Sequence, residues 1–251
     1  MDKSNRDSKN IRPLVSIIIP VWDNSYKTLD NAVNSILNQW FKNKPITMEI
    51  VFVDDGSKDR ATKRKLEVWE RRLRNNQELP HISSKIFTHL QNKGISCARN
   101  SGICNSSSKY VCYLDSDDVY YPCRIYDAIT TLEENKEFDI VSSAVEFNIW
   151  NQFKEKYENS TKHSSITVLG ITHTRDISDN VMKDYGDIFP SFVVDNEVTE
   201  FIDRLKRYNN IKFIDKKSGL CTISQDGQYF TKRMPGSGRG ITYTDYKNNN
   251  Y

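Results

Sequence analysis

Residues 109–122 read KYVCYLDSDDVYYP, and the organisation of the whole chain follows from them. Tyr110 to Leu114 is an apolar strand running straight into three carboxylates, Asp115, Asp117 and Asp118, with Pro122 closing the turn. Two like charges about 4 Å apart cost about 1 kcal/mol in bulk water and about 4 kcal/mol at the effective dielectric near a protein surface. Acids set side by side are therefore favoured where cations share them, and a hard divalent cation with oxygen ligands is the natural candidate. The alternative is a solvated turn at a strand end, since Asp and Ser form turns readily.

Upstream, the same pattern recurs. Leu14 to Pro20, LVSIIIP, is a continuous β-branched run of the kind buried on both faces of a parallel sheet. Behind it Leu29, Ala32, Val33, Ile36, Leu37 and Trp40 fall on one helical stripe. Met48 to Val53 is a second strand, ending in Asp54-Asp55-Gly56-Ser57 and followed by a basic helix. Lys85 to Leu90 reads as a third strand and Ser96 to Ser106 as a short helix entered past Gly94. Strands alternating with helices predict an α/β fold, an open, mostly parallel sheet with helices on both faces. In such sheets ligands bind outside the carboxyl ends of the strands, where both acidic clusters fall.

Downstream, Tyr126 to Leu132 is expected to be helical and Phe138 to Phe147 a strand, while Asn148 to Ser165 is a hairpin or a loop. Val198, Phe201, Ile202 and Leu205 form a helical stripe behind Asp195, a candidate N-cap. Ile211 to Ile214 and Leu220 to Ile223 read as two short strands.

At 251 residues the chain can bury one sizeable core. Its 36 Lys and Arg against 33 Asp and Glu leave +3, a nearly neutral sum that argues neither for a nucleic-acid binder nor for an acidic tail, and no nucleic-acid partner is expected. The basic residues of 58–74 are interrupted by Asp59, Glu67 and Glu70, as on the wet face of a helix. Five cysteines without a C-x-x-C spacing indicate neither a disulfide framework nor a zinc site. No secretion signal or transmembrane helix is read, so the chain is expected in the cytoplasm, with peripheral contact to a membrane left open.

Four motifs in order, Pro20-Val21-Trp22-Asp23, Asp54-Asp55-Gly56-Ser57, Asn92-Lys93-Gly94-Ile95-Ser96-Cys97-Ala98-Arg99-Asn100 and Asp115-Ser116-Asp117-Asp118, resemble those of family 2 glycosyltransferases with the GT-A fold. The resemblance covers roughly residues 14–125. It implies a nucleotide diphospho-sugar donor held by Pro20, Trp22, Asp54, Asp55, Arg99, Asp115 and Ser116. Asp54 and Asp55 would take base and ribose, as carboxylates accept hydrogen bonds from N–H and hydroxyl groups. Asp115 and Asp117 would hold Mn²⁺ or Mg²⁺ on the diphosphate, stabilising the charge that grows on the leaving UDP or other nucleoside diphosphate. The acceptor would be a hydroxyl of a glycan or glycoconjugate, which attacks the donor sugar's anomeric carbon in line, with inversion, as the nucleoside diphosphate leaves. The implied organisation is a disordered lead-in over 1–12, one domain over 13–230 with a donor half (13–125) and an acceptor half (126–230), and a flexible tail over 231–251.

One departure stands out. Matching Phe201 and Arg204 to the family pattern puts Val198 where the general-base Asp belongs, and valine takes no proton. Glu197 is the nearest substitute and Asp195 the next; either is alternatively an acid favoured by the helix dipole. No histidine follows in the tail, where Lys232, Arg233 or Arg239 are candidate diphosphate clamps. The rival readings are a nucleotide-sugar-binding module without turnover and, further off, a phosphoacceptor domain using Asp54 and Asp55.

Overall fold

Strand β1 (Val15–Val21) is fully buried and has a helical layer on each side, as its unbroken apolar run requires. The computed structural model describes residues 12–42, 44–151, 156–162, 168–191 and 197–223. Within them α1 (Leu29–Leu37), β2 (Met48–Asp54), α2 (Arg60–Arg74), β3 (Ile82–Thr88), α3 (Ile95–Cys104) and β4 (Tyr110–Tyr113) complete the first half. The second half comprises β5 (Val119–Tyr120), α4 (Arg124–Glu134), β6 (Ile140–Asn151), β7 (Lys156–Lys162), β8 (Ile171–Thr174), α5 (Arg175–Tyr185), α6 (Glu197–Lys206) and β9 (Ile211–Ile223).

The strands form one nine-stranded sheet in the order β3-β2-β1-β4-β8-β6-β9-β5, with β7 paired to β6. β1 to β4 are parallel to one another, and β6 and β9 run the same way; β5, β7 and β8 oppose them. The sheet is open and mostly parallel, as expected. Alternate residues of β1 supply the two cores. Ile17 and Ile19 pack with Leu29 and Ile36 of α1, Leu66 and Trp69 of α2 and Ile125 of α4. Ile18 faces the other way, with Ala98 and Ile103 of α3, Val181 of α5 and Phe201 of α6.

Several expected boundaries shift. The third strand begins at Ile82 rather than Lys85 and stops before Leu90. It is the sheet edge, half wetted, so Ser83 and Ser84 belong to it without lending an apolar signal. The two short strands near the end are one, β9, whose pairing with β6 shifts register at Ser143–Val145 and so accommodates the polar stretch between them. Of the stretch from Asn148 to Ser165, residues 148–151 and 156–162 pair antiparallel as β6 and β7, the hairpin alternative, and 152–155 and 163–165 lie outside the described residues. Trp40, expected on the buried stripe, lies past the end of α1 and is 52% exposed, edge-on to Tyr126. β8 and α5 carried no reading from the sequence. The expected tail over 231–251 and most of the lead-in over 1–12 lie outside the described residues.

Candidate active site

The two acidic clusters leave the sheet at the same edge. Asp54 pairs with Val21 and Tyr113 with Ile18, so Asp54-Asp55 and Asp115-Ser116-Asp117-Asp118 both emerge at the carboxyl ends of adjoining strands, either side of β1. The turn after β1 ties them together. The Asp55 backbone N–H donates to the Val21 carbonyl at 2.8 Å, and the Ser25 and Ser116 hydroxyls meet at 2.9 Å. Asp23 accepts from the Lys58 and Asp59 N–H groups at 2.6 and 2.9 Å, and Asp59 in turn caps α2 by accepting from Thr62 N–H. Asn24 reaches Asp59 from a left-handed conformation, φ 71°, that asparagine tolerates better than most residues.

At the end of β2 the two aspartates do different work. Asp54 is buried and accepts from the Ser57 N–H at 2.9 Å. Asp55 spends both oxygens on the loop after β3: Oδ1 takes the Lys93 N–H at 2.9 Å and lies 2.6 Å from His89 Nδ1, while Oδ2 takes the Gly94 N–H at 2.9 Å. Gly56 has φ +68°, and a Cβ there would stand 2.4 Å from the Gln91 carbonyl carbon, so only glycine lets the two loops pass this closely.

Gly94 is the N-cap of α3, and α3 carries a buried cation, Arg99, to this edge. Arg99 Nη2 lies 2.9 Å from both carboxylate oxygens of Asp115, Nη1 lies 3.6 Å from Glu197 Oε1, and the guanidinium sits over the Phe189 ring. Burial opposes that charge, but Asp115 and then Glu197 outweigh it and hold the guanidinium pKa above its ordinary value. The other oxygen of Glu197 accepts from the Ser96 hydroxyl at 2.8 Å. Asn100 completes the face: its side chain donates to the Phe189 carbonyl and accepts from the Ile188 and Phe189 N–H groups. Residues 96, 99 and 100 thus join the two halves of the chain from one side of a helix.

Of the residues singled out in the sequence, Asp54, Asp55, Arg99, Asp115 and Ser116 meet at this edge, with Glu197 reaching in from α6. Pro20 lies within β1 beside Val53, and Trp22 is half-buried in the turn that follows. Asp117 is half-buried and Asp118 buried. Asp195 and the tail cations Lys232, Arg233 and Arg239 lie outside the described residues. Val198 packs against the core shared by α5 and α6. His89 and Ser96 were not singled out. The helical spacing of Ser96 with Arg99 and Asn100 is the signal that finds it, whereas His89 has no local signal, because its partner Asp55 lies 34 residues away.

Among the described residues no group of three or more His, Cys, Asp or Glu side chains is placed to enclose a metal ion. The donors on offer are carboxylate oxygens in pairs. That chemistry fits a hard cation completing its shell with phosphate oxygens and water. No helix among them is long and apolar enough to cross a membrane.

Residues 16–191 match the Glycosyl transferase family 2 profile. Over 129 residues the chain is 35% identical to an uncharacterized glycosyltransferase of Rickettsia prowazekii, a match covering 51% of this chain and 35% of that one. It is 29% identical over 149 residues to the bifunctional glycosyltransferase pgtA of Dictyostelium discoideum, covering 54% and 18%. Staphylococcus aureus TarS, residues 1–349 solved with UDP-GlcNAc, superposes with a TM-score of 0.64 at 20% identity, over 88% of this chain and 62% of that one. The chain belongs to family 2 of the glycosyltransferases and has their GT-A fold. It spans about a third or less of the length of the first curated relatives it matches.

Proposed function

We propose that this chain transfers a sugar from a nucleoside diphosphate sugar, a UDP-sugar by preference, to a hydroxyl of a glycan or glycoconjugate, with metal assistance and inversion. The observation that carries the reading is the convergence of Asp54, Arg99 and Asp115 from three separate elements on one sheet edge. A donor laid across that edge has the Asp54 carboxylate for its nucleoside end and, near its diphosphate, a buried guanidinium whose Nε and Nη1 make no hydrogen bond. The TarS structures with UDP and with UDP-GlcNAc support uridine as the base. Asp115 and Asp117 are the residues that would hold Mn²⁺ or Mg²⁺, which when bound supplies positive charge to the departing diphosphate. Arg99 would orient Asp115 and share that charge. Glu197, which reaches Arg99 from α6, is the candidate base; Asp195 is the runner-up.

UDP with Mn²⁺ is expected to raise the melting temperature more than either alone, because a ligand bound to the native state stabilises it. Asp117→Ala should abolish the metal-dependent part, and an unchanged shift in that variant would remove the residue from the site. Glu197→Gln should lower turnover by about a hundredfold or more with UDP affinity retained, the usual loss for a general base. A second reading is favoured by one observation: both Glu197 oxygens are already engaged, by Ser96 and Arg99. A donor-binding module without turnover follows if neither donor hydrolysis nor transfer is detected across an acceptor panel while UDP still binds.

A further inference from the structure

We propose that His89 is a positioning residue for donor binding, acting through Asp55 on the turn that starts α3; the inference rests on the donor reading above. The His89 N–H donates to the Asp54 carbonyl at 2.9 Å, so the residue is fixed at the strand end that carries both aspartates. Its ring lies between two partners, with Nδ1 2.6 Å from Asp55 Oδ1 and Nε2 2.8 Å from the Ser101 hydroxyl. Asp55 offers only acceptors, so Nδ1 is the donor, and in the neutral ring Nε2 accepts from Ser101. The order carboxylate, imidazole, hydroxyl resembles a nucleophilic relay, but Ser101 sits in the body of α3 and braces the ring from behind.

The consequence reaches the cleft in three steps. His89 orients the Asp55 carboxylate, which holds the Lys93 and Gly94 amides. Gly94 fixes where α3 begins, and the helix sets Ser96 and Arg99 against Glu197 and Asp115. Asp55, with both oxygens occupied, therefore serves the donor by building its cradle, leaving direct contact at this strand end to Asp54.

Two substitutions separate this role from simple packing. Asn at 89 can place an amide N–H where Nδ1 stands and keep the bond to Asp55; Gln reaches toward Ser101 and loses it. His89→Gln should weaken UDP binding, measured by calorimetry well below the melting point, about tenfold, and raise the donor KM with little change in kcat. His89→Asn should stay within about threefold of wild type. Equal losses in both variants, or wild-type affinity in His89→Gln, overturn the inference. If His89→Gln does not fold, Ser101→Ala, which removes the brace behind the ring, should cost about threefold, and unchanged affinity there overturns it too. Failure of the wild-type protein to bind any of a panel of nucleoside diphosphates sinks the donor reading and this inference with it.

Discussion

Arg99 is one cation, its side chain 4% exposed, set against Asp115 and Glu197. Removing one partner of a buried ion pair costs about 3–5 kcal/mol because the remaining charge is stranded. Here two acids are stranded together, but they keep 20% and 17% of their side-chain exposure and water relieves part of the cost. Arg99→Met is expected to lower the unfolding free energy by about 2 kcal/mol, read from urea melts with an unchanged slope, and to weaken UDP binding. A full-strength UDP complex in that variant would exclude Arg99 from the donor site. The sequence placed Arg99 beside the nucleotide by resemblance; that Glu197 shares it became visible only when α6 folded back across the sheet edge. Asp55 shows the same limit, since its partners on the loop 92–94 are distant in the chain and close only through the β2–β3 pairing.

At the scale of elements, α3 is the part on which the cleft depends. It lies so close to β1 that a Cβ on Gly102 would stand 2.3 Å from Ile18 Cγ2 and 3.2 Å from Val53 Cγ2. Overpacking of this kind typically costs about 1–3 kcal/mol. Gly102→Val is expected to fall at or above the top of that range and, by pushing the helix outward, to loosen UDP binding as well; calorimetry beside a urea melt reads both. Retained affinity in a destabilised variant would show that the helix tolerates displacement without moving Arg99. A dense apolar period made β1, β2, α1 and β4 legible in the sequence, and α2, α3, α4, β6 and α6 were read as well, with shifted ends. β8 and α5 were missed, since Ile171–Thr174 is only four residues long and the buried face of α5 rests on Ile177, Ser178 and Val181, one of them polar.

For the whole molecule, the second half of the chain is fastened to the first by a buried polar and aromatic cluster with its own pH signature. His173 is fully buried on β8, its Nε2 2.6 Å from the Tyr113 hydroxyl and its Nδ1 2.9 Å from the Thr174 carbonyl; Phe189 and Phe201 stack beside Tyr113. Burial pulls the imidazole pKa down to about 4 against an ordinary 6.5. The unfolded chain therefore binds a proton that the folded chain refuses, so stability is fully present above about pH 6.5 and falls as the pH drops toward 4. The total is on the order of 3 kcal/mol. Urea midpoints at pH 7.5, 5.5 and 4.5 should show the decline, and His173→Gln should flatten it. An equally steep decline in that variant would assign it to other groups. Glu133, drawn down to about 2 by hydrogen bonds from Lys109, Lys136 and Tyr110, adds a separate loss below about pH 4.5.

The α/β pattern, the two acid clusters and their arrival at one sheet edge were determined by sequence alone, because periodic burial and the geometry of parallel strands act over a few residues at a time. The tertiary structure alone decided which acids are left to meet a ligand and which are consumed in holding loops. That choice depends on hydrogen bonds between residues tens of positions apart, Asp55 with His89 and Glu197 with Ser96, whose distances are set by the packing of helices on the sheet.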